Sequence, residues 1–227
     1  MINIVCTLSI HPDNYKRPVY DKSWVDKLYS SLKKHLETEF KFHCFTNVIA
    51  SSDVEYEIIP LDLQGHWGWW NKLEMFRPGL FDGPCLNIDI DNVICKDFSQ
   101  VLKNLPDDRI LMPVEPYKNI YNSSLVYWNG NFSEIYTKFQ NNPEPIKKQY
   151  QWPTENEPSI GDGAYIKYMA GDKLIAFDKF VPEGFFNWKH HKVETEINDP
   201  TFLFFLGEQK PFNYLDLKQV KENWRIH

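Results

Sequence analysis

Apolar and polar residues change their period several times along the chain, and each change marks an element. Asn3–Leu8 is a short apolar run of β type, the pattern of a buried strand. From Ser23 the period becomes helical: Trp24, Leu28, Leu32 and Leu36 recur every four residues as one apolar stripe. Asp26, three residues beyond Ser23, predicts a capping box at that helix's start. Phe42–Phe45 and Tyr56–Leu61 return to strand patterns, the first ending at Thr46-Asn47. A Trp-rich segment, Gly65-His66-Trp67-Gly68-Trp69-Trp70, leads into a predicted helix carrying Lys72, Leu73 and Phe76, stopped by Pro78-Gly79. Strands are expected over Cys85–Asp91, Ile110–Val114 and Leu125–Trp128, and a helix from near Ala164. Asn141–Pro158, punctuated by Pro143, Pro145, Pro153 and Pro158, is expected to be a surface loop. Residues 201–227 hold an apolar run, a Lys-Pro turn and a short helix with Val220 and Trp224 at helical spacing. Strands alternating with helices predict an α/β fold with a mostly parallel sheet. No second core builds up after the proline-rich stretch, so one domain is the economical organisation for 227 residues.

Composition narrows the partners. With 25 basic and 31 acidic residues, a net charge of −6 excludes nucleic-acid binding through bulk positive charge. A hydrophobic share of 42% and a charged share of 25% exclude disorder. The aromatic share of 16% suits stacking on sugars or bases, and equally suits a bulky core. Cys6, Cys44, Cys85 and Cys95 lack zinc-like spacing and are expected to be reduced thiols, three of them inside apolar runs. No apolar run approaches ~18 residues and no basic segment precedes the first strand, so the expectation is a soluble, cytoplasmic protein without a transmembrane segment.

The candidate chemistry begins at Cys85-Leu86-Asn87-Ile88-Asp89-Ile90-Asp91. Period-two alternation would put Asn87, Asp89 and Asp91 on one face, and aspartates are depleted in strands. Two carboxylates so close raise one another's proton affinity or recruit a cation, and hard oxygen donors favour Mg²⁺ or Mn²⁺. The plainer alternative is a solvated strand end with Asp91-Asn92 opening a turn. An EF-hand loop fails, because Ile94 stands where glycine is required. Asp89-Ile90-Asp91-Asn92-Val93 with Gly161-Asp162-Gly163 resembles the haloacid-dehalogenase-type phosphatases. That family's further aspartate is Ile166 here, and the motif starts some way into the chain.

A second resemblance runs the length of the chain. The first strand, ending in Thr7-Leu8 with a tyrosine shortly after, is similar to the uridine-binding opening of GT-A-fold nucleotide-diphosphosugar glycosyltransferases of the glycogenin-like retaining type. Trp70-Asn71-Lys72-Leu73-Glu74-Met75-Phe76, followed by Asp89-Ile90-Asp91, resembles that family's K-L helix and D-x-D metal motif. Asn122-Ser123-Ser124-Leu125 resembles the element lining the donor sugar, and Gly161-Asp162 the family's G-D-Q. Phe204-Phe205-Leu206-Gly207-Glu208-Gln209-Lys210-Pro211-Phe212 resembles H-[FY]-x-G-x-x-K-P-W.

This resemblance implies a single GT-A domain over residues 1–227, a nucleoside-diphosphate sugar donor carrying UDP or GDP, and an unidentified acceptor. It implies Asp89, Asp91, Asp162 and Lys210 as catalytic residues, with Asp89 and Asp91 holding Mn²⁺ or Mg²⁺. Thr7, Leu8, Tyr20 (or Tyr15), Lys72, Asn122, Ser123, Gly207 and Lys210 would bind the donor, Tyr20 as the ring under the base. Three departures stand out: Phe204 replaces the histidine that completes the family's metal site, Gly163 replaces its glutamine, and Asn47 stands where relatives often have Thr-Asp. A phenyl ring cannot ligate a metal, so either water or phosphate oxygens complete the shell, or His190 or His191 reaches in, or metal binding is weak. Other readings of single residues are bland: Lys72 pairing with Glu74 or Asp82 on a helix surface, Asp162 capping the next helix, Lys210 a surface lysine, and at least two of Trp67, Trp69 and Trp70 core. The departures also admit a GT-A-fold donor- or glycan-binding protein without turnover.

Overall fold

The first apolar run is a strand, β1 (Ile2–Leu8), which lies inside the main sheet with neighbours on both sides. Its side chains alternate, Ile4, Cys6 and Leu8 entering one core cluster and Val5 the other, so both faces are covered. The computed structural model describes residues 1–10, 20–63, 65–66, 68–115, 120–154, 158–181, 184–187, 200–205 and 207–226. After β1 come α1 (Lys22–His35), β2 (Phe40–Thr46), β3 (Glu57–Ile59), a 3₁₀ helix (Gly68–Phe76), β4 (Cys85–Ile88), β5 (Val93–Ile94) and α2 (Ser99–Leu102). Then follow β6 (Arg109–Met112), β7 (Val114–Glu115), β8 (Ile120–Tyr121), β9 (Leu125–Asn129), α3 (Glu134–Asn141), α4 (Pro143–Tyr150) and α5 (Gly161–Ala170). The chain continues with β10 (Leu174–Ala176), β11 (Phe185–Asn187), β12 (Phe202–Phe204), a 3₁₀ helix (Pro211–Tyr214) and α6 (Lys218–Asn223).

Among the described residues seven strands form one sheet in the order β10-β6-β9-β4-β1-β2-β3. All pairs are parallel except those of β9, which runs antiparallel to β4 and β6. The expected mostly parallel α/β sheet is therefore present. α1 covers one face with Trp24, Val25, Leu28 and Leu32, while the first 3₁₀ helix, α3, α4 and α5 cover the other. A smaller sheet, β11-β12-β5, extends the first core cluster through Phe202 and Phe204, and β7-β8 is a separate ribbon. The chain runs from β1 outward through β2 and β3, then returns to the other side of β1 as β4. That reversal opens a crevice beyond the carboxyl ends of β1 and β4, the usual ligand position in such sheets.

Several local expectations are corrected. The strand predicted over Cys85–Asp91 stops at Ile88, all four residues of β4 being buried. The Asp89 amide still donates to Ser124 O at 2.8 Å, but the Asn92 amide then donates to Asp89 O at 3.0 Å and closes a turn. Asp89 and Asp91 therefore sit on a turn at the carboxyl end of β4, the alternative reading of this segment, and not on one face of a strand. At α1, Asp21 rather than a Ser23–Asp26 box supplies the cap, accepting the Ser23 amide at 2.9 Å. A carboxylate two residues ahead of Ser23 satisfies that orphan N–H directly, which frees Asp26 to pair with Lys22 and accept the Tyr56 hydroxyl. The helix expected after the Trp-rich segment is present, as a 3₁₀ helix whose residues Trp70 to Phe76 are all buried. The proline-rich stretch is helical over Pro143–Tyr150, because Pro143 and Pro145 fall in the first turn where amides have no intrahelical partner. All four cysteines are free thiols, Cys6 and Cys44 facing each other in register between β1 and β2. Among the described residues no helix is long and apolar enough to cross a membrane.

Candidate functional site

Carried two residues beyond its last pair, the parallel register Val5↔Asn87 sets Thr7 opposite Asp89. A cavity of about 120 Å³ opens there, lined by Thr7, Leu8, Ser9, Tyr20, Gly68, Lys72, Asp89, Ile90 and Asp91. Leu8 is 1% exposed and belongs to the core cluster under it. Thr7 Oγ1 is buried and has no hydrogen-bond partner among the described residues, a polar atom held at the cavity without a protein contact. Ser9 Oγ accepts from Asn71 Nδ2 at 2.6 Å, which ties the first 3₁₀ helix to the end of β1.

Lys72 is the hub. Its Nζ lies 3.1 Å from Asp89 Oδ2 and 3.1 Å from Asp162 Oδ2. It also donates to Ser123 Oγ at 3.1 Å and to Ser123 O at 3.2 Å. The side chain is 9% exposed, so a helix-surface pair with Glu74 or Asp82 is not what forms. Glu74 instead turns inward, pairs with Arg77 at 2.8 Å and accepts the Asp62 and Leu63 amides. Asp162 occupies the first turn of α5 rather than capping it, the helix starting at Gly161. Burial works to lower the proton affinity of Lys72, and the Asp162 and Asp89 carboxylates more than offset it, holding the ammonium above its ordinary range. Burial pushes the Asp89 carboxyl up to about 6 against the pull of Lys72, with Asp91 and Asp162 adding repulsion.

Asp91 has its own partners. Lys210 Nζ contacts Asp91 Oδ2 at 2.5 Å, and the Tyr20 hydroxyl donates to the same oxygen at 3.2 Å. Lys210 is no surface lysine: its side chain is 8% exposed and its Nζ lies 5.5 Å from the Tyr20 ring centre. Gly207 turns the chain with φ +66°, and Lys210 is the N-cap of the Pro211–Tyr214 helix, locked by a reciprocal pair of bonds with Asn213.

Asn122 and Ser123 reach the same region by different routes. Ser123 touches Lys72 directly, whereas Asn122 shapes the turn, its Oδ1 accepting the Ser124 amide at 2.8 Å. Its Nδ2 donates to Glu115 Oε1 at 3.4 Å. Gly163 lets α5 approach that turn, since a Cβ there would lie 3.4 Å from Ser123 Oγ. Trp70 is core, stacked on Phe139 at 5.1 Å. Trp69 stays 44% exposed, its indole 3.0 Å from where a Gly161 Cβ would be. Trp67, Tyr15, His190 and His191 lie outside the described residues. Ser9 and Asn71 belong to this constellation without having been singled out in the sequence; Asn92, read there only as opening a turn, donates from Nδ2 to Ser124 O at 2.8 Å and clamps the Asp89–Asp91 turn to the start of β9. The only signal for it was an amide residue directly after D-x-D.

Asp89 and Asp91 offer hard carboxylate oxygens beside a cavity, a donor set that fits Mg²⁺ or Mn²⁺ when a ligand's oxygens complete the shell. Phe204 contributes nothing to such a shell: it is 2% exposed and stacks with Phe185 and Phe202 inside the core. Among the described residues no group of three or more His, Cys, Asp or Glu side chains gathers as a metal cluster.

No protein-family model and no curated protein matches the sequence. Solved structures do match its shape. An active-site mutant of LgtC superposes with a TM-score of 0.63 at 11% identity, covering 97% of this chain and 93% of that one. The glycosyltransferase GlyE of Streptococcus pneumoniae TIGR4 gives 0.64 at 13% identity, over 98% of this chain and 59% of that one. The bifunctional glycosyltransferase WbbM gives 0.63 at 12%, over 98% and 49%. These likenesses carry the fold, and the GT-A architecture expected from the sequence is present.

Proposed function

We propose that this chain, as one GT-A domain, transfers a sugar from a nucleoside-diphosphate sugar, carrying UDP or GDP, to an acceptor. One observation carries the reading: Asp89, Asp91 and the buried Lys72 line a cavity at the carboxyl ends of β1 and β4, and the distant Lys210 and Asp162 join it by ion pairs to Asp91 and Lys72. The likeness to LgtC, also solved with donor and acceptor sugar analogs, supports it from a second side.

Transfer requires that negative charge growing on the departing diphosphate be offset. Asp89 and Asp91 would hold Mn²⁺ or Mg²⁺, which would supply part of that positive charge. Lys210 would add a point charge to the diphosphate, directed by the fixed Gly207–Pro211 backbone. Tyr20, at the cavity wall, would lie against the base, and the free Thr7 hydroxyl would bond to the nucleoside. Lys72 would orient Asp162 and Ser123 toward the sugar hydroxyls, and Asn122 would keep Ser123 in place through its turn. None of the described side chains here is set up as an activated nucleophile with an adjacent base, so retention of configuration is proposed from the resemblance alone.

Thermal melting with UDP, GDP, CDP and ADP, each with and without Mn²⁺, tests this. A ligand at a hundredfold excess over its dissociation constant adds about 2.7 kcal/mol of stability, so one diphosphate should raise the melting temperature by several degrees. No shift with any nucleotide would overturn the reading. Binding without release of nucleotide from any donor sugar would leave a donor-binding protein. Mg²⁺-dependent phosphate release from simple esters would instead favour the phosphatase resemblance.

A further inference from the structure

If Asp89 and Asp91 are donor-site carboxylates, as proposed above, the two lysines beside them are not equivalent in how they admit a cation. Lys72 is shared by two carboxylates and two oxygens of Ser123, so it keeps partners when any one of them turns elsewhere. Lys210 has one carboxylate partner among the described residues, Asp91, and touches the same oxygen that accepts the Tyr20 hydroxyl. Both members of the pair are buried, their side chains 8% and 12% exposed. Water therefore screens the pair little, and a cation cannot take up Asp91 Oδ2 without confronting the ammonium at close range. The lysine backbone is pinned by its N-cap bonds to Asn213, so relief must come from rotation of the side chain alone.

We propose that Lys210 is a tethered competitor of the divalent cation at Asp91, displaced when a nucleoside diphosphate offers the lysine a second anion. The exchange is one of partners: Asp91 passes from ammonium to cation while Lys210 passes from carboxylate to diphosphate. Cation and nucleotide then bind cooperatively, each raising the affinity of the other by the same factor. The site takes up a metal–diphosphate pair and holds Mn²⁺ poorly by itself.

The test measures Mn²⁺ alone, by the loss of the free-ion electron paramagnetic resonance signal on titration with protein. Wild type should bind weakly, Lys210→Met at least tenfold more tightly, and Lys210→Arg as weakly as wild type. Adding Asp91→Asn to Lys210→Met should abolish the gain. Melting curves identify which variants are folded, and Lys210→Gln serves if Lys210→Met is not. Equal Mn²⁺ affinity, within twofold, in wild type and a folded charge-removing variant would overturn the proposal. If that variant gains Mn²⁺ affinity while no nucleoside diphosphate shifts any melting curve, the competition stands and the donor reading fails. If nucleotide shifts wild type but the variant gains nothing, the donor reading stands and the competition fails.

Discussion

Replacing Lys72 by methionine removes a buried ammonium while keeping most of the side chain's volume, so the change is electrostatic rather than a cavity. Two carboxylates lose their counterion. Asp162, with a side chain 6% exposed, cannot rehydrate, whereas Asp89 at 27% can do so in part. Breaking a buried pair by removing one partner costs about 3–5 kcal/mol, and the partial exposure of Asp89 favours the lower half of that range. For a chain of this length each kcal/mol moves the melting temperature by roughly 2–4 °C, so a loss of roughly 6–16 °C is expected at pH 7.5. The deficit should also depend on pH with a definite sign. Asp89 already holds its proton up to about 6 with Lys72 present, and removing the lysine raises it further. A carboxyl whose folded-state affinity exceeds its unfolded one gains stability as pH falls through the folded value. The gap between Lys72→Met and wild type should therefore narrow between pH 7.5 and pH 5. Asp162→Asn added to Lys72→Met should recover part of the loss at pH 7.5. Urea unfolding at both pH values, with unchanged m, provides the measurement. A loss below 1 kcal/mol, or a gap indifferent to pH, would refute the assignment of Lys72 as the buried counterion.

Three further outcomes are expected. Gly161 sits at φ +67° with Trp69 where its Cβ would go, so Gly161→Ala should cost about 1–2 kcal/mol from backbone strain alone and should shift the tryptophan emission as the indole moves. Phe139 is fully buried between Trp70 and Tyr165, so Phe139→Ala should lose about 3–5 kcal/mol in urea unfolding; a loss under 1 kcal/mol would mean that this half of the core collapses around the gap. Burial depresses the proton affinity of His35, against its bond to Asn223, and that of His43, against the pull of Glu57. A group depressed in the fold contributes stability above its unfolded pKa that is lost as pH falls through the folded value, so His43→Gln should flatten the decline in melting temperature seen below about pH 6.5, and an unchanged slope would contradict the assignment.

How much of this was legible in the sequence depends on what each segment had to do. β1, α1 and β2 were readable because one period ran through each and the core confirms it residue by residue, as with Trp24, Leu28 and Leu32. The turn at Asp89–Asn92 was legible only as the alternative to a continuing strand, because alternation continues in letters after the ladder has stopped; the Ser124 and Asn92 bonds decide between them. Helix α4 was hidden by Asn and Pro residues that are read as loop signals. Their placement in a first helical turn makes those prolines harmless. That Lys72, Asp89, Asp91, Asp162, Ser123 and Lys210 belong together was implied only by the family resemblance, and their pairing was not implied at all. Nothing local distinguishes Lys72 joined to Asp162 from Lys72 joined to Glu74, since the former depends on the meeting of the first 3₁₀ helix and α5 in space.

The bonds that build the site span 51 residues from Lys72 to Ser123, 71 from Tyr20 to Asp91 and 119 from Asp91 to Lys210. No fragment of the chain short of residue 210 can assemble it. A nascent chain passes through most of its length with Asp91 lacking its ammonium partner, because that contact spans 119 residues. Any ligand seated there bridges the ends of β1 and β4, and Asp91 couples it to the segment around Lys210. Its binding energy should accordingly reach amides throughout the sheet, seen as slowed hydrogen exchange far from the cavity as well as beside it.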